Sequence, residues 1–144
     1  MNERHAGFSL IELVIAVAIV GILAAIAYPS YINSITNSNR AAARACLANF
    51  ATHMERFYTT NMRYDEDLAG DAVTLPGLDC ASDQNTGENY DYDFAAGQPT
   101  QTSFTLEATP KGTQASRDTE CGTLSLTQTG ARGASGSGGV TRCW

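Results

Sequence analysis

The chain has 144 residues, of which 43% are hydrophobic, and a formal net charge of −6. That length allows one small domain beside a single long helix and leaves no room for a larger assembly of domains. The acidic balance disfavours nucleic acid as a partner, since such affinity comes largely from neutralised phosphates, although a local basic patch would be compatible with it.

Residues 6–14 read Ala-Gly-Phe-Ser-Leu-Ile-Glu-Leu-Val, and no charge follows from Leu13 to Asn39. Phe8 to Tyr28 is about 21 residues, or ~32 Å of helix, enough to span a hydrocarbon core. An ordinary secretory signal is cut after its apolar core, so the core is lost. Here the small-residue cut point, between Gly7 and Phe8, lies ahead of the core, and the apolar run stays in the mature chain. Arg4 in front of it favours a cytoplasmic N-terminus. Glu12 is the one acid inside the run. A carboxylate in a bilayer is costly unless paired and tends to mark function. Gly21 and Pro29 interrupt the run, and Pro29 removes one intrahelical hydrogen bond, which predicts a kink or a local loosening.

Beyond the proline, Ile32, Ile35, Ala43, Cys46, Leu47, Phe50, Met54 and Phe57 recur at spacings of three and four, with Arg40, Arg44, Asn49, His53 and Arg56 mostly between them. One amphipathic helix therefore continues to about Tyr58, where Thr59-Thr60-Asn61 breaks the pattern. Residues 61–89 hold no period and read as loop, with turn signals at Gly70, Pro76-Gly77 and Asn85-Thr86-Gly87. Three alternating runs follow: Tyr90, Tyr92 and Phe94; Phe104, Leu106 and Ala108; Leu124 and Leu126. Period two predicts half-buried antiparallel strands, with a short fourth strand near Val140–Cys143. Gly130–Gly139 is rich in glycine and serine and reads as a flexible surface loop.

Cys46, Cys80, Cys121 and Cys143 fit two disulfides in an oxidising compartment. Three pairings are open, and sequence alone does not choose. Cys121–Cys143 with Cys46–Cys80 is favoured, because the first pins the chain end and the second ties the helix to the loop after it. No CxxC pair or histidine cluster supports zinc. Asp65, Glu66, Asp67 and Asp71 are hard oxygen ligands of the kind calcium takes, but they lack the EF-hand spacing and read as solvated loop acids. His53 reads as solvated. No nucleophile–base constellation appears, so neither catalysis nor a metal nor a cofactor is expected. Phe8, Tyr28, Tyr31, Phe50, Phe57 and Tyr58 fit core and subunit packing better than a nucleic-acid stacking platform. Lys111, Arg117, Arg132 and Arg142, around the C-terminal loops, are the exposed cations that nucleic acid would meet.

The string Gly7-Phe8-Ser9-Leu10-Ile11-Glu12 resembles the processing site of type IV prepilins. The tail, with Asp118 to Leu126, Gly130-Ala-Arg-Gly133 and Cys143-Trp144, is similar to that of PilE-type members of the type IVa class. The resemblance implies an α+β type IV pilin fold: a long N-terminal helix, transmembrane then amphipathic, packed on a small antiparallel sheet with a disulfide-closed C-terminal loop. It implies a leader over 1–7, a transmembrane and assembly helix over 8–28, and a periplasmic globular domain over 29–144. It further implies cleavage after Gly7 by a prepilin peptidase and N-methylation of Phe8. Glu12 would meet the methylated amine of a neighbouring subunit or its own, and Pro29 would let the anchor bend as subunits pack.

The implied partners are other pilin subunits in a homo- or hetero-oligomeric filament, the peptidase, the inner-membrane assembly machinery and the membrane itself. The implied location is the inner membrane before assembly and an extracellular pilus after it. The implied role is that of a structural subunit, a minor pilin acting in filament assembly and initiation for twitching motility, adhesion or DNA uptake. The alternatives are the major pilin, a pseudopilin of a type II secretion system, and a DNA-receptor pilin. Major pseudopilins generally lack a C-terminal cystine and often use a calcium-stabilised loop, so Cys121 and Cys143 argue against that alternative.

Overall fold

The computed structural model describes residues 9–144; Gly7 and Phe8, with the cleavage and methylation expected there, lie outside the described residues. Helix α1 spans Leu10–Asn61. A 3-10 turn follows at Asp79–Ala81, then strands β1 (Tyr90–Phe94) and β2 (Thr105–Pro110), helix α2 (Gly112–Arg117), strands β3 (Leu124–Thr127) and β4 (Arg132–Ala134), and helix α3 (Gly139–Cys143). The chain divides into two compact units between Ile35 and Thr36. Thr36 is the first buried residue of α1.

In the first unit, α1 runs without a break in its assignment through Gly21 and Pro29. Its most apolar 18-residue stretch has a mean hydropathy of 2.9 and none of it is buried, and the helix is long and apolar enough to cross a membrane. At its other end, α1 passes the expected stop at Tyr58 and ends at Asn61. The residues read as breakers sustain it. Thr59 and Thr60 donate their hydroxyls to the Arg56 carbonyl, and Asn61 donates its amide to that of Phe57. Met62 then stops the helix in the left-handed region, at φ 58°, with its N–H on the Tyr58 carbonyl. Glycine is the usual residue at such a cap.

In the second unit the strands form one antiparallel sheet in the order β1-β2-β3-β4, each strand pairing with the next. The register sets Tyr92 opposite Ala108, Ala108 opposite Leu124, and Leu106 opposite both Phe94 and Leu126. Because side chains alternate along a strand, these residues share one face. Ala43, Cys46, Leu47, Phe50 and Met54 of α1 form one buried cluster with Tyr90, Phe104, Leu106, Ala108, Leu124 and Leu126. Tyr64 and Phe104 add an edge-to-face ring contact with centroids 5.0 Å apart.

Two expectations for the C-terminus need correction. The stretch from Gly130 to Gly139 is not simply a flexible loop: Arg132–Ala134 is the fourth strand, hydrogen-bonded along β3. Its glycines serve close approach. A Cβ at Gly133 would run into the Ser125 hydroxyl opposite, and one at Gly136 into the Glu120 carbonyl. Nor is Val140–Cys143 a strand; it belongs to α3, whose last turn is closed by Trp144 N–H on the Val140 carbonyl. At the end of this turn Cys143 is bonded to Cys121.

Candidate functional site

The N-terminal half of α1 presents Leu10, Ile11, Leu13, Val14, Ile15, Val17, Ile19 and more as exposed large apolar residues. Glu12 stands in its first turn, where the Glu12 and Leu13 N–H groups both bond the Ser9 carbonyl. An acid there is favoured by the partial positive charge of a helix start. Glu12 is itself exposed, with apolar neighbours on both sides. Pro29 sits inside the helix, so the carbonyl one turn before it lacks the usual donor.

Where α1 enters the globular unit, a polar cluster holds it. Asp118, buried after α2, accepts from Arg40 Nε at 2.9 Å and from Nη2 at 2.7 Å. The side chains are 13% and 1% exposed, so both charges of this forked pair are largely out of water. Tyr90 donates its hydroxyl to Asp118 at 3.1 Å, and Gln114 donates to that carboxylate and to the Thr36 carbonyl, each at 3.1 Å. Asn39 donates to Gln114 Oε1 at 3.2 Å. Burial and the nearby Asp118 carboxylate push the Tyr90 phenol well above its ordinary value. Sequence reading placed Arg40 among the polar residues between the apolar positions and missed this cluster. A signal was present: Thr36, Arg40, Ala43 and Leu47 follow one another at four, three and four residues, so Arg40 lies on the buried stripe itself.

Cys46 is bonded to Cys80 and Cys121 to Cys143, with Cα–Cα separations of 5.6 and 5.5 Å. The first joins α1 to the loop after it, and the second closes the C-terminal segment over β4. Arg44 Nη1 donates to the Trp144 main-chain oxygen at 2.7 Å, and Trp144 Nε1 donates to the Gly133 carbonyl at 2.7 Å.

The loop acids have local roles. Asp65 pairs with Arg63, whose guanidinium holds the carboxyl below its ordinary range, and Glu66 pairs with Arg63 as well. Asp67 accepts from the Ala69 and Asp71 N–H groups. Among the described residues no group of three or more His, Cys, Asp or Glu side chains is placed to hold a metal. His53 is half-buried on α1. Of the four C-terminal cations, Lys111 pairs with Asp91 and Arg142 with Glu120, Arg132 lies over the Trp144 ring, and Arg117 is exposed.

Residues 29–125 match the family model described as "Type IV minor pilin ComP, DNA uptake sequence receptor". The chain is a type IV pilin. Residues 3–28 of this pilin match the prokaryotic N-terminal methylation motif. The pilin is 43% identical over 65 residues to the type IV major pilin protein PilA of Myxococcus xanthus, a match covering 45% of this chain and 30% of that one. It is 40% identical over 70 residues to the type IV major fimbrial protein FimA of Dichelobacter nodosus, covering 49% and 44%. It is 33% identical over 79 residues to the type IV major pilin protein PilE1 of Neisseria gonorrhoeae, covering 55% and 48%. The chain thus spans less than half the length of these curated relatives. Pilins are structural proteins and not enzymes, and a long apolar N-terminal helix, a small antiparallel sheet and a C-terminal disulfide fit their fold.

Proposed function

We propose that this pilin is a minor subunit of a type IV pilus, acting in the assembly and initiation of the filament. The observation that carries this reading is the match of residues 29–125 to a minor-pilin family, which covers most of the globular unit. In this reading a prepilin peptidase removes residues 1–7, Phe8 becomes the methylated N-terminus, and residues 8–28 hold the subunit in the inner membrane. Residues 29–144 face the periplasm until the assembly machinery moves the subunit into an extracellular filament. Glu12, costly in a bilayer while unpaired, is neutralised there by the amine of Phe8 on a neighbouring subunit or its own. Pro29 supplies the local give that packing requires. The Cys121–Cys143 bond favours a pilus over a secretion pseudopilus.

Quantitative mass spectrometry of sheared filaments and membranes from the same cells tests the rank. A minor pilin appears as a trace component of the filaments, whereas dominance there would make it the major subunit. Gly7→Val is expected to leave full-length protein in the membrane; efficient cleavage of that variant would refute the assigned site.

A second reading, nucleic-acid reception, is favoured by the same family description and by the distribution of charge. Residues 62–93 hold nine acids and one base, so the rest of 36–144 holds seven bases and four acids. The acidity that counts against nucleic acid is therefore concentrated in one segment. A salt-sensitive gel shift with the full chain in detergent tests this second reading, and its absence would dispose of it.

A further inference from the structure

The two disulfides differ in what a reagent can reach. Cys121 and Cys143 are both fully buried. A Cβ on Gly138 would stand 3.2 Å from Cys143 Sγ, so the main chain of the C-terminal segment lies against that sulfur. In the other bond Cys46 is fully buried on α1, whereas Cys80 is only partly buried. Both line an open cleft of about 280 Å³ between α1 and the 3-10 turn. Ala42, Ala45 and Asn49 flank it on the helix side, and Asp79 and Asn85 on the other.

Charge around Cys80 is one-sided. Asp79 is the one charged residue lining the cleft, and Cys80 lies within residues 62–93, which hold nine acids and one base. Such a field repels an anion approaching the sulfur and favours a cation, and salt weakens both effects. The main chain at Cys80, meanwhile, is held by more than its disulfide. The Cys80 carbonyl accepts from the Thr86 N–H at 3.1 Å and from the Thr86 hydroxyl, which also meets the Tyr92 hydroxyl at 2.6 Å. Leu78 and Ala81, on either side, pack against the core. With the bond open, these contacts keep Cys80 beside Cys46, so the same bond can close again.

We propose that Cys80 is a thiol-exchange site of the folded pilin, addressed by a dithiol oxidoreductase whose reactive thiol has neutral or basic surroundings, while Cys121–Cys143 stays closed. Exchange starts from a thiolate and depends on which sulfur it can reach. The thiolate bonds to Cys80 Sγ, the bond from Cys80 Sγ to Cys46 Sγ breaks, and Cys46 leaves as a thiolate that takes a proton from water. The second thiol of the dithiol loses its proton and bonds to the first, releasing the Cys80 thiolate. The pilin bond gains two electrons and the dithiol loses two. The reverse sequence, from an oxidised partner, closes Cys46–Cys80.

The full-length protein in detergent micelles is treated with three small monothiols: cationic cysteamine, neutral mercaptoethanol and anionic mercaptoethanesulfonate. Samples are quenched with an alkylating agent and mapped by mass spectrometry, while circular dichroism follows the fold. Each rate is normalised to that of the same thiol with bis(2-hydroxyethyl) disulfide. The site predicts a mixed disulfide on Cys80 with Cys46 alkylated, formed at least about tenfold faster than any product at Cys121 or Cys143, with the circular dichroism unchanged. It also predicts that cysteamine is the fastest and mercaptoethanesulfonate the slowest, and that added salt narrows the gap. Equal rates at the two bonds, a mixed disulfide on Cys46, or reaction only in step with loss of the fold would each overturn the site. Equal normalised rates for the three thiols would overturn the charge preference assigned to the partner.

Discussion

Residues 10–35 and residues 36–61 belong to one helix, yet they treat their apolar side chains in opposite ways. The first stretch leaves Leu13, Ile15, Ile19, Leu23 and Ile26 more than half exposed, while the second buries Ala43, Cys46, Leu47, Phe50 and Met54. The second stretch has its cover within the chain: a four-stranded sheet, two disulfides and the Arg40–Asp118 pair. In the first stretch, lipid and other subunits are the cover that pilin assembly would supply. A helix of even character could not do both jobs, since an all-apolar one could not leave the membrane and an amphipathic one could not stay in it. The change of character at Thr36 would let one element be both an anchor and part of a folded domain.

The comparison is broken most sharply at the Arg40–Asp118 pair. Asp118→Ala leaves a largely buried guanidinium uncompensated and is expected to cost about 3–5 kcal/mol in urea unfolding of the globular unit. The double change Arg40→Met with Asp118→Leu is expected to recover most of that loss; no recovery would mean the carboxylate acts mainly through Tyr90 and Gln114. Replacing Cys121 and Cys143 together by alanine opens a loop with a sequence separation of 22 residues. The expected cost is about 3 kcal/mol, read as a lower unfolding midpoint.

Alkali tests the globular unit in a different way. Burial raises the phenol of Tyr64 to about 12, and those of Tyr90 and Tyr92 are also raised. In the unfolded chain these groups titrate near 10, so above that pH the unfolded state holds fewer protons than the fold does. Stability is therefore expected to be level below about pH 10 and to fall as pH rises through 10 toward 12 and beyond. Tyr64→Phe should flatten part of that fall, as followed by circular dichroism. Met62→Gly relieves a left-handed residue at the end of α1 and is expected to add about 0.5–1 kcal/mol. Ile19→Ala, in the exposed stretch, is expected to move the midpoint of the globular unit by less than about 0.5 kcal/mol. A larger shift would show that the two stretches are energetically coupled.

Much of this architecture is legible in the sequence because periodicity reports burial directly. The spacing from Ala43 to Met54 and the alternation in Tyr90–Phe94 and Leu124–Thr127 each survive as the buried face of a real element. The favoured cysteine pairing is also the one the structure has. Where glycine governs, the sequence is a poorer guide. Gly133 and Gly136 read as flexibility, yet they are there because neighbouring groups leave no room for a Cβ. The Val140–Cys143 stretch has β-branched residues, yet it is a helical turn closed by the Trp144 N–H on the Val140 carbonyl. The Arg40–Asp118 cluster lay hidden for another reason. Its members are 78 residues apart, and nothing local signals that two charges will meet in the interior. Arg44 and Trp144, 100 residues apart, were obscured in the same way.

The measurement that bears most directly on the exposed half of α1 is the incorporation of Glu12→Ala into sheared filaments, normalised to its level in the membrane. If that surface is completed by other subunits, the variant is processed to a peptide beginning at N-methyl-Phe8 and is present in membranes, but it enters filaments far less than the wild type. Normal incorporation would contradict the assembly role of Glu12 and reduce the exposed stretch to a plain membrane anchor.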